Sequence, residues 1–542
     1  MRAKEQPEIN SNGYNIIKKV EKQLLFHAIL ITLHEDKQMV VMWLDYGIFI
    51  FIWTVVIFVE SRMGTGFDYA ELEKATGFSL PHIRAVFAKQ TGKSLSRYIL
   101  SRRIANAAFE IVHSGQNILD IATKYGFSNP DSFTRAFRRI AGINPNDFRK
   151  RKISVGRKTL CAGVFGVSIK PIDNGIKQNA MERIDSMNNN EQKCVTEDSV
   201  ILYGVTKAGY GAFGGCTPLP ISMKAAANYI GIELDYAEAI VFCGAAFRLT
   251  WNETCWDGGN VDVEFTFDDP SKVFRCALES LGCKCNLISR GEETTKSEFL
   301  AFIKENIADG IPVMARGIIG PPEMGLITGY RDNGNTLLGW SVFQDYPELA
   351  GNARFDESGY YITDEWWENK DTNAVMSLSK ATGEKFTVKT VVLNAIEVMT
   401  PRRHGDYAKA GYAYDAWKKA ILDESRFGKD MVSSLLVERL MCQGDAMDCL
   451  ADGRKNACNY FKKLADKNPA EPLYERIAEQ FGASAASSHK MFEVLGGYER
   501  SEKQMQIFAA RDARIEIGNL IDQCKAADEK ALGLLKELLK NL

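Results

Sequence analysis

Asp131, Ser132, Arg135, Arg138 and Arg139 fall on one side of a short helical pattern, where carboxylate, hydroxyl and guanidinium groups together could hydrogen-bond base edges and phosphates. The stretch that carries them, 117–149, reads NILDIATKYGFSNPDSFTRAFRRIAGINPNDFR. Ile118, Ile121 and Ala122 recur at helical spacing, and Gly126 breaks that helix. Ser128 or Asn129 can cap the next helix, with Pro130 in its first turn. Phe133, Ala136 and Phe137 form the inner face of this second helix. A helix, a tight turn and a second helix with a polar, basic outer face is the form of a helix-turn-helix that reads DNA.

The unit occurs twice. Gly77-Phe78-Ser79 and Pro81 recur as Gly126-Phe127-Ser128 and Pro130, 49 positions on (126 − 77), and Phe87 answers Phe137 with one extra residue in the second copy. Between the copies, Tyr98 and Ile99 open a pattern running through Arg102-Arg103-Ile104-Ala105 to Ile111-Val112 that predicts one long linking helix. Two reading helices on one rigid linker can enter successive major grooves, about 34 Å apart on one face of a duplex. The order I-x-x-I-A-x-x-x-G-F followed by F-x-R-x-F-[KR]-x-x-x-G-x-x-P resembles the second half of an AraC-type regulator's DNA-binding domain, and the resemblance extends over about 67–152. It implies that bases face Pro81, His82, Arg84 and Ala85 in the first unit and Asp131, Ser132 and Arg135 in the second. Ala85 stands where the family usually has arginine. Arg84 and Arg135 are the candidates for bidentate contact to guanine, and Lys89, Lys93, Arg97, Arg138 and Arg139 for phosphate contacts. The run Arg149-Lys150-Arg151-Lys152 reads as a solvated end.

A second chemistry-bearing residue is Cys216, in GYGAFGGCTPLPISMKAAANYIG, where a turn-rich loop leads into an amphipathic helix. Strands are expected at 311–314, 324–330, 336–343, near Tyr360-Tyr361 and near Val375-Met376, with a turn at Arg331-Asp332-Asn333-Gly334. A cysteine at a helix start followed by an antiparallel sheet resembles papain-like folds, and most of all the N-terminal domain of the butirosin-biosynthesis acyltransferase family and its leader-peptidase relatives. In those proteins a cysteine attacks a carbonyl, a histidine is the base and an aspartate orients it. Cys216 and Asp345 match the first and third positions, but Glu323 holds the histidine's place. The six histidines, at 27, 34, 82, 113, 404 and 489, leave the 195–400 region without one. A carboxylate beside a thiol raises its pKa instead of deprotonating it. Cys216, Glu323 and Asp345 are therefore read as vestiges of catalysis, with His404 the one imidazole that could swing in. Cys216, Tyr330 and Trp340 are ligand-binding candidates, with Trp366 and Trp367 as further aromatics.

These features need several domains to hold them. At 542 residues the chain exceeds one ordinary core, and 45% hydrophobic with 25% charged residues excludes a collagen-like or disordered chain. Residues 64–152 carry 15 Lys/Arg against 7 Asp/Glu, about +8, so a net charge of −2 leaves about −10 elsewhere. A basic head on an acidic body suits a polyanion-binding module. The 12 cysteines form no C-x-x-C, which argues against a zinc site and for reduced thiols in a cytoplasm. Val40 to Val59, VVMWLDYGIFIFIWTVVIFV, admits three readings: a membrane anchor, a buried helix, or a mis-called start with the protein beginning at Met63. The expected architecture is multidomain. Residues 1–62 are unassigned; an all-α double helix-turn-helix domain follows at 63–152, then a linker with short strands at 153–194. An α+β papain-like domain covers 195–400 and a helical region 401–542. The expected function is that of a bacterial, cytoplasmic transcription regulator that binds promoter DNA and a small-molecule effector, with no cofactor or metal. RNA polymerase and a second copy of the chain are the further partners this reading allows. The rival is a cysteine acyltransferase or amide hydrolase fused to a DNA-binding module.

Overall fold

The computed structural model describes residues 37–63, 68–150 and 193–542, apart from 92, 142, 261, 347–349, 351–352, 357, 379–382, 428–432 and 499. The linker with short strands expected at 153–194 therefore lies outside the described residues except for its last two positions.

The apolar stretch is a helix, α1 (Lys37–Ser61). Ile50, Ile52, Trp53, Val55, Val56, Ile57, Phe58 and Val59 are all buried against protein, on every face of the helix. Among the described residues no helix is long and apolar enough to cross a membrane. The hydrophobicity of 50–59 is thus accounted for by burial within the fold, each such side chain contributing about 1.5–3 kcal/mol.

Six helices follow: α2 (Tyr69–Thr76), α3 (Leu80–Thr91), α4 (Leu95–His113), α5 (Ile118–Lys124), α6 (Pro130–Ala141) and α7 (Pro145–Lys150). Asp68, Ser94, Asn117 and Asn144 cap α2, α4, α5 and α7 by accepting from backbone N–H groups. Gly77 and Gly126 adopt φ of 75° and 77°, the left-handed turn between the paired helices. Of the two cap candidates for α6, Asn129 serves: its side chain accepts from Asp131 N–H at 2.8 Å. The inner faces meet as rings, with Phe87 on Tyr98 at 5.2 Å, Phe133 on Phe137 at 5.5 Å and Phe137 on Phe148 at 5.3 Å.

The body begins with β1 (Lys193–Val195) and β2 (Val200–Leu202), then α8 (Pro218–Tyr229), α9 (Tyr236–Phe242), β3 (Thr250–Asn252), α10 (Lys272–Glu279), β4 (Cys285–Ser289) and α11 (Lys296–Ala308). Next come β5 (Val313–Arg316), β6 (Met324–Arg331), β7 (Thr336–Trp340), β8 (Arg354–Phe355), β9 (Tyr361–Thr363) and β10 (Ala374–Leu378). An antiparallel sheet runs β4-β10-β5-β6-β7-β9-β8, with the β1–β2 hairpin joined to β6. The expected strands are present, and Asp332 and Asn333 make the β6–β7 turn at positive φ.

After α12 (Val388–Met399) the chain does not turn wholly helical as expected. Residues 402–409 form β11 (Arg402–His404) and β12 (Tyr407–Lys409), and β12 pairs with β3. Both strands are short and charged, so they lack the apolar alternation that marks a strand in sequence. The helices α13 (Gly411–Leu422), α14 (Ser433–Lys467), α15 (Leu473–Val494), α16 (Glu502–Ala509) and α17 (Arg511–Leu538) complete the chain. Cys458, Tyr460, Phe461, Leu473 and Leu535 from these helices share one hydrophobic core with the sheet, so 195–400 and 401–542 pack as one body.

Candidate nucleic-acid interface

The two helix-turn-helix units come into register only when one extra residue is counted in the second turn. Leu80 opens α3 and Pro130 opens α6, an offset of 50, whereas Gly77 and Gly126 are 49 apart. Pro81, His82 and Ala85 therefore correspond to Asp131, Ser132 and Arg135, and Arg84 corresponds to Thr134. Arg84 is displaced by one position, about 100° around the helix, from the place where Arg135 stands.

Pro81, His82, Arg84, Ala85, Asp131 and Arg135 are exposed and Ser132 is half-buried. Two of the first unit's candidates are already engaged within the protein. His82 stacks on Phe78 at 4.9 Å and meets Phe51 of α1 edge-on, and the Arg84 guanidinium lies 5.2 Å from the centre of the Tyr69 ring. In the second unit the Ser132 hydroxyl donates to its own Asn129 carbonyl at 2.6 Å. Arg135, Arg138 and Arg139 make no hydrogen bond or ion pair among the described residues. Lys89 and Arg97 are exposed as well, and Lys93 is half-buried. Arg149 is not a solvated end: it donates to the Ile111 and Gln116 carbonyls and fastens α7 to the end of α4.

The linking helix α4 is tied at both ends. Glu110 accepts from Lys124 at 2.6 Å and from the Tyr125 hydroxyl at 2.7 Å, which joins α4 to α5; burial, and after it this hydrogen bond to Glu110, raises the Tyr125 pKa. Arg102 is 2% exposed and donates to Glu60, 5% exposed, at 2.6 and 3.3 Å. Glu60 belongs to α1, which sequence reasoning left unassigned, and it also accepts from the Tyr98 hydroxyl. Two residues on, just past the end of α1, Arg62 makes a bidentate pair with Glu502 of α16 at 2.7 and 3.0 Å and reaches Glu71 of α2 at 3.4 Å. The end of α1 is thus a joint between the reading domain and the C-terminal helices, and α14 packs against both α1 and α2.

Residues 72–151 match a family described as a helix-turn-helix domain. The chain is 31% identical over 99 residues to the transposon Tn10 TetD protein of Escherichia coli, covering 18% of this chain and 72% of that protein. It is 30% identical over 95 residues to the HTH-type transcriptional activator AarP of Providencia stuartii, 18% of this chain and 70% of AarP. It is 29% identical over 96 residues to the multiple antibiotic resistance protein MarA of Escherichia coli, 18% of this chain and 76% of MarA. The chain belongs to the AraC-type helix-turn-helix family. DNA binding and transcription regulation come with that membership and reside in 72–151. The matched stretch ends before β1, so the body lies outside it.

In the body, Cys216 precedes α8 as expected, and a carboxylate absent from the sequence reading organises its loop. Asp452 of α14 accepts from Cys216 N–H at 3.2 Å, the Thr217 hydroxyl at 2.8 Å and the Tyr236 hydroxyl at 2.6 Å. Asp445, Asp448 and Asp452, at i, i+3 and i+7, lie on one helical face, a spacing that an otherwise apolar stretch could have disclosed. Arg500 holds the first two at 2.7 and 2.8 Å. Glu323 stands at the head of β6, where burial and the nearby Asp262 and Asp445 push its carboxyl up to about 8. The structure does not bring Asp345 to Cys216; Lys207 pairs with it at the surface. His404 faces Asp268 at 3.9 Å on the small sheet, His82 lies on Phe78, and His489 contacts the Tyr498 hydroxyl. None of these three imidazoles touches Cys216. Trp340 is buried with its indole N–H on the Val205 carbonyl, and Tyr330 is buried in the same core. Trp366 is likewise buried, donating to the Gly334 carbonyl, and Trp367 packs on Phe299.

Proposed function

We propose that the chain is a one-component transcription regulator of bacterial type, whose AraC-type domain reads promoter DNA and whose body takes a small-molecule effector. The observation that carries the DNA-reading part is the outer face of α6, where Arg135, Arg138 and Arg139 are exposed and without internal partners among the described residues. Arg135 would read guanine, Asp131 and Ser132 would flank it, and Arg138 and Arg139 would hold phosphates. Pro81, His82, Arg84 and Ala85 would face the second half of the site, with Lys89, Lys93 and Arg97 on its phosphates. Ala85 at the position of Arg135 makes this half the weaker reader. The experiment is binding of full-length protein to a selected duplex, with Arg135→Ala expected to cost about 1–3 kcal/mol and to relax one base position.

The effector part rests on the joint at the end of α1. An effector shifts the equilibrium between two arrangements only if it prefers one of them. Glu60 on Arg102 ties α1 to the reading domain, Arg62 on Glu502 ties the end of α1 to the body, and α14 carries the carboxylates around Cys216 while packing on α1 and α2. A papain-like, butirosin-type body that has exchanged its base for Glu323 would serve as the sensor. This reading is favoured over thiol catalysis by the polar setting of Cys216, where Asp452, Tyr236 and Tyr210 stand and no described imidazole does.

A further inference from the structure

Arg500 and Glu502 stand two residues apart at the start of α16 and hold different parts of the molecule. Arg500, 8% exposed, pairs with Asp445 and Asp448 of α14 at 2.7 and 2.8 Å and reaches the Met441 sulfur at 3.6 Å. Gly444 makes room for it: an added Cβ there would come within 2.5 Å of the guanidinium Nε. Glu502 instead accepts from both terminal nitrogens of Arg62, at 2.7 and 3.0 Å. The block that carries the two residues is fixed by its own hydrogen bonds. Ser501 N–H donates to the Gln504 side chain at 2.9 Å, and the Gln504 amide donates to the Gly497 carbonyl at 2.7 Å. This capping box ties the first turn of α16 to the loop before it.

Each grip continues a series of hydrogen-bonded contacts. On the body side, Asp452 lies two turns beyond Asp445 on the same face of α14, about 10 Å along the axis. It holds the Cys216 N–H at 3.2 Å, the Thr217 hydroxyl at 2.8 Å and the Tyr236 hydroxyl at 2.6 Å. On the reading side, the Arg62 guanidinium lies 4.0 Å from the centre of the Phe58 ring of α1. Glu60, two residues before it, holds Arg102 of α4 at 2.6 Å and the Tyr98 hydroxyl at 3.2 Å. Around these pairs Val56 and Val59 of α1, Met441 of α14 and Met505 and Phe508 of α16 share one hydrophobic core. Separating an enclosed ion pair leaves both charges desolvated and unpaired, so a displacement of α14 carries the 500–504 block with it instead of opening the pair.

We propose that Arg500 and Glu502 are positioning residues that couple the Cys216 loop to the DNA-reading units. The 500–504 block passes the placement of α14 through Arg62 to α1, and Glu60 passes it on to the linking helix α4. The inference rests on the sensing role proposed above and names the residues through which it acts. A change at the Cys216 loop that displaces Asp452 alters the hold on α4 and with it the spacing of the two units. By linkage the reverse holds: a duplex seated on both units fixes α4 and keeps Asp452 on the loop.

The test is alkylation of Cys216 by iodoacetamide in the full chain, read by peptide mass, with and without a saturating duplex enriched by selection. The expected result is a rate that the duplex slows about fivefold or more at Cys216 and leaves unchanged at the exposed Cys194. Glu502→Gln should still bind the duplex to saturation and lose that slowing. Arg500→Met should lose it as well, and Arg500→Lys, which keeps the charge, should retain it. A second arm uses no DNA. Asp452→Asn frees the Cys216 loop and should speed amide hydrogen exchange of α4 around Arg102 several-fold, an effect absent when Glu502→Gln is already present. A merely destabilising Asp452→Asn would speed exchange equally in both backgrounds, which overturns the coupling. Slowing by the duplex that persists in full in Glu502→Gln, or a bound duplex that leaves the Cys216 rate unchanged, overturns it too. Either result with intact DNA recognition leaves the regulator standing and removes only this device. A chain that binds no duplex removes the promoter-reading proposal, and the exchange arm then decides the coupling by itself.

Discussion

Replacing Glu60 by glutamine removes one charge from a pair that is almost completely enclosed. Arg102 is 2% and Glu60 5% exposed, two guanidinium–carboxylate hydrogen bonds of 2.6 and 3.3 Å join them, and the Tyr98 hydroxyl donates to the same carboxylate. Breaking a buried pair on one side costs about 3–5 kcal/mol, because the remaining ion keeps its desolvation cost and loses its counter-charge. Glutamine retains one carbonyl acceptor, so the lower figure, about 3 kcal/mol, is expected. Replacing both partners, Glu60→Leu with Arg102→Met, removes the charge and its cost together and should return the protein to within about 1 kcal/mol of the parent. Urea unfolding gives the stability, and amide hydrogen exchange over α1 and α4 locates the loss. Because α4 sets the spacing of the two reading units, Glu60→Gln should also lose affinity for a two-part DNA site more than for either half alone. A Glu60→Gln protein within about 0.5 kcal/mol of the parent, or a double variant less stable than the single one, would refute the reasoning.

Arg84→Ala should cost less DNA affinity than Arg135→Ala, because Arg84 stands one position off the reading register and would have to leave Tyr69, a contact worth about 0.5–1 kcal/mol; competition binding of the two variants measures the difference. Arg138→Ala should weaken binding to all sequences alike and lower the slope of log K against log salt by about 1, which titrations at several salt concentrations read. A chain starting at Met63 loses the buried face of 50–59 and the Glu60 carboxylate that pairs with Arg102, so it should bind a hydrophobic dye and unfold at a lower temperature than the full chain. Glu323 has a folded pKa raised from 4.5 to about 8, so its contribution to stability is present below pH 4.5 and is lost as pH rises through 8. Glu323→Gln should therefore flatten the fall in melting temperature between pH 5 and 8, measured by calorimetry.

The double helix-turn-helix was legible because every device that makes it is local: caps at Asp68 and Asn117, left-handed Gly77 and Gly126, and a repeat of inward phenylalanines. The sheet was legible at β5, β6, β7 and β10 for the same reason, apolar runs bounded by turn residues. What escaped depends on partners far along the chain. The meaning of 40–59 rests on Arg102, α14 and α16, and no local pattern distinguishes a helix buried in protein from one buried in lipid. Asp345 fitted a catalytic position by spacing, but Lys207, 138 residues away, pairs with it at the surface. The one-residue offset between the units was legible as the extra residue before Phe137, but the helix starts at Leu80 and Pro130 are what place it in the turn and take Arg84 out of the reading register. Arg149 looked like one of four solvated cations, and only the position of two carbonyls at the end of α4 gives it a structural role.

The most direct test of the account is selection of full-length protein on random-sequence duplex DNA at two salt concentrations, with sequencing of the retained fraction. Two working reading helices on one linker predict enrichment of a bipartite site with its blocks one helical turn apart, the block read by α6 more strongly defined than the block read by α3, and the enrichment surviving at the higher salt. Retention that is equal for all sequences and vanishes at the higher salt would contradict it.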